Sequence, residues 1–110
     1  MKKIDRKTVY DKCAGHCAYC GCVLSMEGMQ VDHIHPKYRG GTDDSNNLNP
    51  ACRVCNAWKK TYTIHEFRLE IECQYWRVRK ASAGFRLMEK YGMVTVADSP
   101  GLFYFERMTP

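Results

Sequence analysis

The sequence predicts a small α+β domain built around a metal site. Two C-x-x-C pairs lie roughly thirty residues apart, a spacing typical of a bound ion. Short stretches with strand-like composition sit between the pairs, and longer stretches with helical periodicity follow them. At 110 residues the chain fits one domain, burying about two thirds of its unfolded surface. An apolar content of 45% is ordinary for a globular protein and does not indicate disorder. No run of about 18 apolar residues is present, which excludes a transmembrane helix. The opening MKKIDRKTVYDK is basic but has no apolar segment behind it, so the expectation is a soluble protein of the cytoplasm. Seventeen basic residues against twelve acidic ones, net +5, suit a polyanionic partner.

Asp5 is placed to cap a first helix with Val9, Tyr10 and Cys13 on one face, and Gly15 ends it. HCAYCGC turns around the first cysteine pair, and CVLS and MQVDHI read as short strands joined through Gly28. PKYRGGTDDSNN is a polar, Gly-rich loop, NLNPAC a brief extended segment, and RVCNAWKK the start of a helix. Thr63-Ile64-His65-Glu66 has the form of a capping box, with Tyr62 and Phe67 at the staple positions. Phe67, Ile71, Tyr75 and Val78 share one helical face as far as residue 80. GFRLMEKYG is a shorter helix with Gly92 as its C-terminal cap, and MVTV and LFYFER around DSPG predict a terminal β-hairpin. Trp58, Trp76 and Tyr75 are assigned to the core. No repeat or linker divides the chain, so 1–110 reads as a single domain.

Seven cysteines, an odd number without a secretory leader, indicate reduced thiols. Cys17/Cys20 and Cys52/Cys55 form the two pairs, whereas Cys13, Cys22 and Cys73 show no such order. The pairs have the form of a tetrahedral zinc site, and binding there contributes on the order of 10 kcal/mol to folding. Four thiolates leave no open position, so the zinc is structural. A redox C-x-x-C accounts for one pair only. Pro50-Ala51-Cys52-Arg53-Val54-Cys55 loosely matches half of the zinc deaminase pattern. The H-x-E half is absent, because His33 is followed by Ile34-His35 and His35 by Pro36-Lys37.

VDHIHP crowds one acid and two imidazoles into residues 32–35. Strand alternation sends Asp32 and Ile34 to one face and His33 and His35 to the other. A carboxylate suits a hard cation, and a neutral imidazole can take a proton from water. Asn56, directly after Cys55, offers a neutral oxygen donor at a position fixed by the cysteine site.

DHIHP, then GGTDDSNNLNPAC, then CN with Lys59 three residues on, resembles the HNH endonucleases, in the type framed by a zinc knuckle and common in phages and mobile elements. The resemblance covers residues 17–60 and leaves 61–110 as a helical and β-hairpin extension. It implies a ββα-metal fold, with residues 29–34 as first strand, Asn47-Leu48 leading into the second, and a helix from Arg53. It further implies that His33 is a general base activating water, and that Asp32 and Asn56 hold one divalent ion, Mg²⁺ or Mn²⁺. Asn47 would hold loop and base in place. Many members have His where this chain has Asn56, a change that favours oxygen-loving ions. The implied activity is metal-dependent hydrolysis of DNA phosphodiester bonds.

Lys37 and Arg39 beside Gly40 and Gly41, with Lys59 and Lys60 on the helix, are the expected DNA contacts. A second basic group, Arg77, Arg79, Lys80, Arg86 and Lys90, is diluted by Glu66, Glu70, Glu72 and Glu89. His35 is unassigned; His16 and His65 are bystanders. The competing reading is a non-catalytic, zinc-stabilised nucleic-acid-binding module. Against it stands the presence of Asp32, His33, Asn47 and Asn56 together. A protein-binding adaptor would need an exposed apolar patch, for which LFYFER is the candidate. The expected partner is DNA and not a membrane, in a bacterium or a phage-infected host cell. Monomer and homodimer both stay open.

Overall fold

Asp5 caps the first helix, α1 (Arg6–Lys12), its carboxylate accepting the Lys7 backbone N–H at 3.1 Å. The computed structural model describes residues 3–108. These fall into two units, one running to Ile64 and resuming at Leu102, the other His65–Gly101.

In the first unit the chain leaves α1 through Gly15 and enters the cysteine loop, which closes on itself. The Cys17 N–H reaches Cys22 O at 2.8 Å, and the Gly21 N–H reaches Cys17 O at 3.0 Å. Gly21 sits at φ +81°, and a Cβ there would meet the Tyr104 ring at 2.8 Å. The strand expected at CVLS is only a bridge between His16 and Val23. Strands β1 (Gln30–His33) and β2 (Leu48–Ala51) pair antiparallel, with Asp32 opposite Asn49 and His33 opposite Leu48. β2 is buried throughout, and α1 packs on it while helix α2 (Arg53–Lys59) packs on β1.

The loop between the strands contains two 3₁₀ turns, Lys37–Arg39 and Ser45–Asn47. Its tightest point is Gly41, where a Cβ would lie 1.8 Å from His35 O. That contact is backbone, so no side chain can move aside. Gly41→Ala should cost at least the roughly 1–3 kcal/mol typical of overpacking, read as a fall in the urea midpoint. Gly40→Ala, at φ +97° in open space, should cost about 1–2 kcal/mol from backbone strain alone. A Gly41→Ala midpoint equal to that of wild type would refute the close approach at Gly41.

The predicted C-terminal β-hairpin does not form. Residues 94–97 belong to no strand, and Tyr104–Arg107 is a one-turn helix, α5. The Tyr104 and Phe105 N–H groups donate to Tyr19 O and Ala18 O at 3.2 and 2.8 Å. Phe103 and Phe105 meet Tyr19 edge-on at 5.3 and 5.8 Å, and Glu106 accepts the Phe103 N–H at 2.8 Å. The period-2 aromatics that read as a strand instead clasp one ring.

In the second unit lie most of α3 (Ile64–Ala81) and all of α4 (Ala83–Lys90). Ser82 caps α4 by accepting the Phe85 N–H at 3.1 Å, and Phe85 packs edge-on against Tyr75 at 6.1 Å. Arg79 pairs with Glu89 at 3.0 Å, and Arg77 pairs with Glu70, so two of the expected basic-group cations are engaged within the unit. Gly92 (φ +70°) ends α4 as its composition predicts, and the Met93 N–H closes on Met88 O at 2.9 Å.

The core assignment of the tryptophans is corrected: Trp58 is 47% exposed and Trp76 65%. Trp76 follows Tyr75 on α3 and so lies about 100° round the helix from the Phe67–Ile71–Tyr75 stripe. Among the described residues no helix is long and apolar enough to cross a membrane.

Candidate metal and catalytic site

The sulfurs of Cys17, Cys20, Cys52 and Cys55 lie within 4.8 Å of one another, with Cys20 and Cys52 at 3.9 Å. The cysteine loop presents the first pair and the start of α2 the second; Cys52 caps that helix, its sulfur accepting the Cys55 N–H at 3.3 Å. A hydrogen bond from the Cys55 thiol holds the Cys17 pKa well below the usual thiol range, against its burial and aided by N–H groups of Cys52, Cys20 and Tyr19. The same contact pushes Cys55 upward. Sulfurs crowded in this way cannot all lose their protons unless a cation shares their charge. The donor set and its compactness fit a soft tetrahedral ion, and the four cysteines can hold zinc.

Asp32, at the end of β1, is 4% exposed, and its partners are as buried as it is. Lys59, 0% exposed, places its ammonium 3.2 Å from Oδ1 and 3.0 Å from Oδ2 of Asp32, and 2.8 Å from the His33 carbonyl. The Tyr19 hydroxyl donates to Oδ2, and Asn49 Nδ2 donates to the Tyr19 oxygen at 3.3 Å. Burial pushes the Asp32 pKa up, while Tyr19 and Lys59 pull it back. Burial and the Asp32 charge raise Tyr19, which keeps its proton and stays a donor.

A carboxylate has about four lone-pair positions. Lys59 engages both oxygens and Tyr19 engages Oδ2 again, which leaves a position on Oδ1. Lys59→Met, which keeps the stem and removes the charge, should destabilise the fold by about 3–5 kcal/mol, because Asp32 would stay buried without its cation. A urea midpoint unchanged from wild type would show that the pair contributes nothing.

His33 is held from the loop. Its Nε2 lies 2.8 Å from Asp43 Oδ1, and Lys37 Nζ lies 3.0 Å from Asp43 Oδ2. The His33 contact, then Lys37, lowers the Asp43 pKa, so the group is a carboxylate and only accepts. Nε2 therefore carries a hydrogen, and in the neutral tautomer so fixed the lone pair lies on Nδ1. Asn47 closes the loop: its Oδ1 accepts the His35 N–H at 2.9 Å, and its Nδ2 donates to Thr42 O at 2.8 Å and His35 O at 3.1 Å. His35 is exposed and donates from Nε2 to Arg39 O at 3.0 Å, a loop contact.

Asp32, His33 and Asn56 line one cavity of about 290 Å³ with Lys37, Tyr38 and Lys60. Although strand alternation separates Asp32 from His33, both border this space, because β1 ends there. Of the expected DNA contacts, Lys60 is exposed and borders the cavity. Lys37 is exposed but tied to Asp43, and Arg39 is exposed beside the Tyr38 ring, 5.6 Å from its centroid. Lys59 is corrected: its ammonium is buried on Asp32 and faces no surface. Sequence reasoning missed Asp43, Tyr19 and Asn49. Only Asp43 left a signal, as an acid in the loop between the strands.

Two antiparallel strands and a helix, with a His at a strand end and a cysteine cluster at the helix start, define a ββα-metal domain of nuclease type. Residues 17–61 match the model of the HNH endonuclease family. Among solved structures, the type II-C Cas9 enzyme from Actinomyces naeslundii is similar, with a TM-score of 0.53 and 26% identity. That likeness covers 58% of this chain and 7% of that chain, so the present chain spans a small part of the Cas9 length. No curated protein matches the chain.

Proposed function

We propose that the chain is a metal-dependent DNA endonuclease with His33 as general base and Asp32 and Asn56 as ligands of one Mg²⁺ or Mn²⁺ ion. The observation that carries this reading is the meeting of those three side chains at one cavity. Asp32 contributes the free position on Oδ1, and Asn56 its carboxamide oxygen. An ion held there supplies positive charge to the phosphate and to the leaving oxygen. His33 receives the water proton at Nδ1, because Asp43 occupies Nε2–H and fixes the ring. Asn47 keeps the loop, and so Asp43, in register with the strand end. Exposed Lys60 and Lys37 give the DNA backbone cations beside the reacting phosphate, in keeping with a net charge of +5. The four cysteines carry a structural zinc ion, outside the chemistry.

Supercoiled plasmid incubated with zinc-replete protein should be nicked in Mg²⁺ or Mn²⁺. The nicking should stop when EDTA removes the added ion for a time too short to strip the zinc. Protein that stays folded and zinc-loaded, binds the plasmid and never cuts it in either ion would instead be the binding module.

A further inference from the structure

The buried Asp32 carboxylate is gripped unevenly. Its Oδ2 takes both the Tyr19 hydroxyl and the Lys59 ammonium, the latter at 3.0 Å, whereas its Oδ1 takes Lys59 at 3.2 Å. Each carboxylate oxygen has about two lone-pair positions, so Oδ2 is filled and Oδ1 keeps one open. Lys59 spans both oxygens and does not choose between them. The Tyr19 hydroxyl does.

Tyr19 is itself held firmly. It is 3% exposed, Asn49 Nδ2 donates to its oxygen at 3.3 Å, and Phe103 and Phe105 meet its ring edge-on at 5.3 and 5.8 Å. Its carbonyl accepts the Tyr104 N–H at 3.2 Å, and the Phe105 N–H reaches Ala18 O at 2.8 Å. Tyr104 stacks on His16 at 5.2 Å, in a space that only glycine at position 21 leaves clear. This clasp lies outside the family match, which ends at residue 61, yet it belongs to the same compact unit as Asp32. A phenol fixed in this way cannot follow the carboxylate, so the carboxylate follows the phenol.

We infer that Tyr19 is a positioning residue for the catalytic ion and that residues 103–105 are the clasp that holds it. By filling Oδ2, its hydroxyl leaves Oδ1 as the oxygen that Asp32 offers to the cavity it shares with Asn56. Groups that orient a ligating carboxylate are typically worth about 10–100-fold in metal affinity. The inference rests on the proposed reading of Asp32 and Asn56 as ligands of one ion.

The test is Mn²⁺ binding to the full, zinc-loaded chain without DNA, read from the electron paramagnetic resonance signal of free Mn²⁺. Wild type, Asn56→Ala, Tyr19→Phe, Phe105→Leu and Tyr19→Phe/Phe105→Leu are compared, with amide spectra to show that each is folded. Tyr19→Phe keeps the ring and loses the donor, and should weaken Mn²⁺ binding about 10–100-fold. Phe105→Leu keeps the hydroxyl and loosens the clasp, and should cause a measurable loss of less than about tenfold. In the double variant the Phe105 change should add nothing, because its effect passes through the hydroxyl. In plasmid cleavage by Tyr19→Phe, the Mn²⁺ concentration for half-maximal rate should rise while KM for plasmid holds. A purely structural bond would instead lower the folded fraction and leave that Mn²⁺ midpoint in place. Folded Tyr19→Phe that binds Mn²⁺ as tightly as wild type overturns the role of Tyr19. A Phe105→Leu loss that persists undiminished in the double variant overturns the route through the ring. Should Tyr19→Phe fail to fold, wild-type Mn²⁺ affinity in Phe105→Leu overturns the inference by itself. If wild type binds no Mn²⁺, or Asn56→Ala binds it equally well, the ion reading falls and takes the inference with it.

Discussion

Withholding zinc from the four cysteines should unfold the unit that carries the proposed catalytic residues. The elements there are too small to stand alone. Helices α1 and α2 have seven residues each and the sheet has two strands, below the sizes at which isolated helices or hairpins hold in water. Much of the buried core consists of small residues and sulfur: Cys13, Cys17, Ala18 and Ala51 beside Val9, Leu24 and Leu48. What joins the halves is the cysteine cluster, which ties the loop at Cys17–Cys20 to the start of α2 at Cys52–Cys55. An ion there contributes on the order of 10 kcal/mol, comparable to the whole stability of a small domain. A strong zinc chelator should therefore collapse the dispersion of the β1 and β2 amide resonances. Zn²⁺ should restore it and Mg²⁺ should not. Far-UV dichroism is a poor reporter, because α3 contributes helical signal from residues outside this unit. Dispersed β1 and β2 resonances in metal-free protein would show that the thiols alone suffice.

The legible parts of this site are those whose chemistry demands local spacing. Two sulfurs on one ion need C-x-x-C, and the acid–imidazole pair sits in adjacent positions, so both stand out in the bare sequence. Lys59 does not. In RVCNAWKK a lysine near a helix end reads as solvent-facing, and its burial depends on Asp32, 27 residues away. Nothing in the local pattern records that partner. Asp43 is similar: in GGTDDSNN it resembles any loop acid until the loop folds back on His33. LFYFER failed for another reason. Alternating aromatics have the strand period, but the same period serves a segment whose Phe103 and Phe105 close on Tyr19. Periodicity reports which side chains share a neighbour, and here the neighbour is one ring and not a sheet.

His33→Ala should lower the rate of plasmid nicking by about 10²–10⁴, the usual worth of general-base help, while zinc content and the urea midpoint change little. The fold has little invested in this ring. His33 pairs with Leu48 through the backbone, and Asp43 keeps Lys37 as its partner when the imidazole is gone. No buried charge is orphaned, in contrast to Lys59→Met. Asp43→Asn separates orientation from chemistry. The base is still present, but the carboxylate that fixes the Nε2–H tautomer is lost, so the expected loss is about 10–100-fold in kcat with KM nearly unchanged. The pH dependence has a definite sign. Since the folded pKa of Asp43 is depressed, its contact adds stability above the ordinary carboxylate value of about 4. That stability is lost as pH falls through the lowered value. Orientation of His33 by Asp43 thus persists throughout the neutral range. If Asp43→Asn cuts DNA as fast as wild type while His33→Ala is inactive, the ring is positioned without its carboxylate. If His33→Ala keeps full activity in zinc-replete protein, the proton goes elsewhere and the proposed base is wrong.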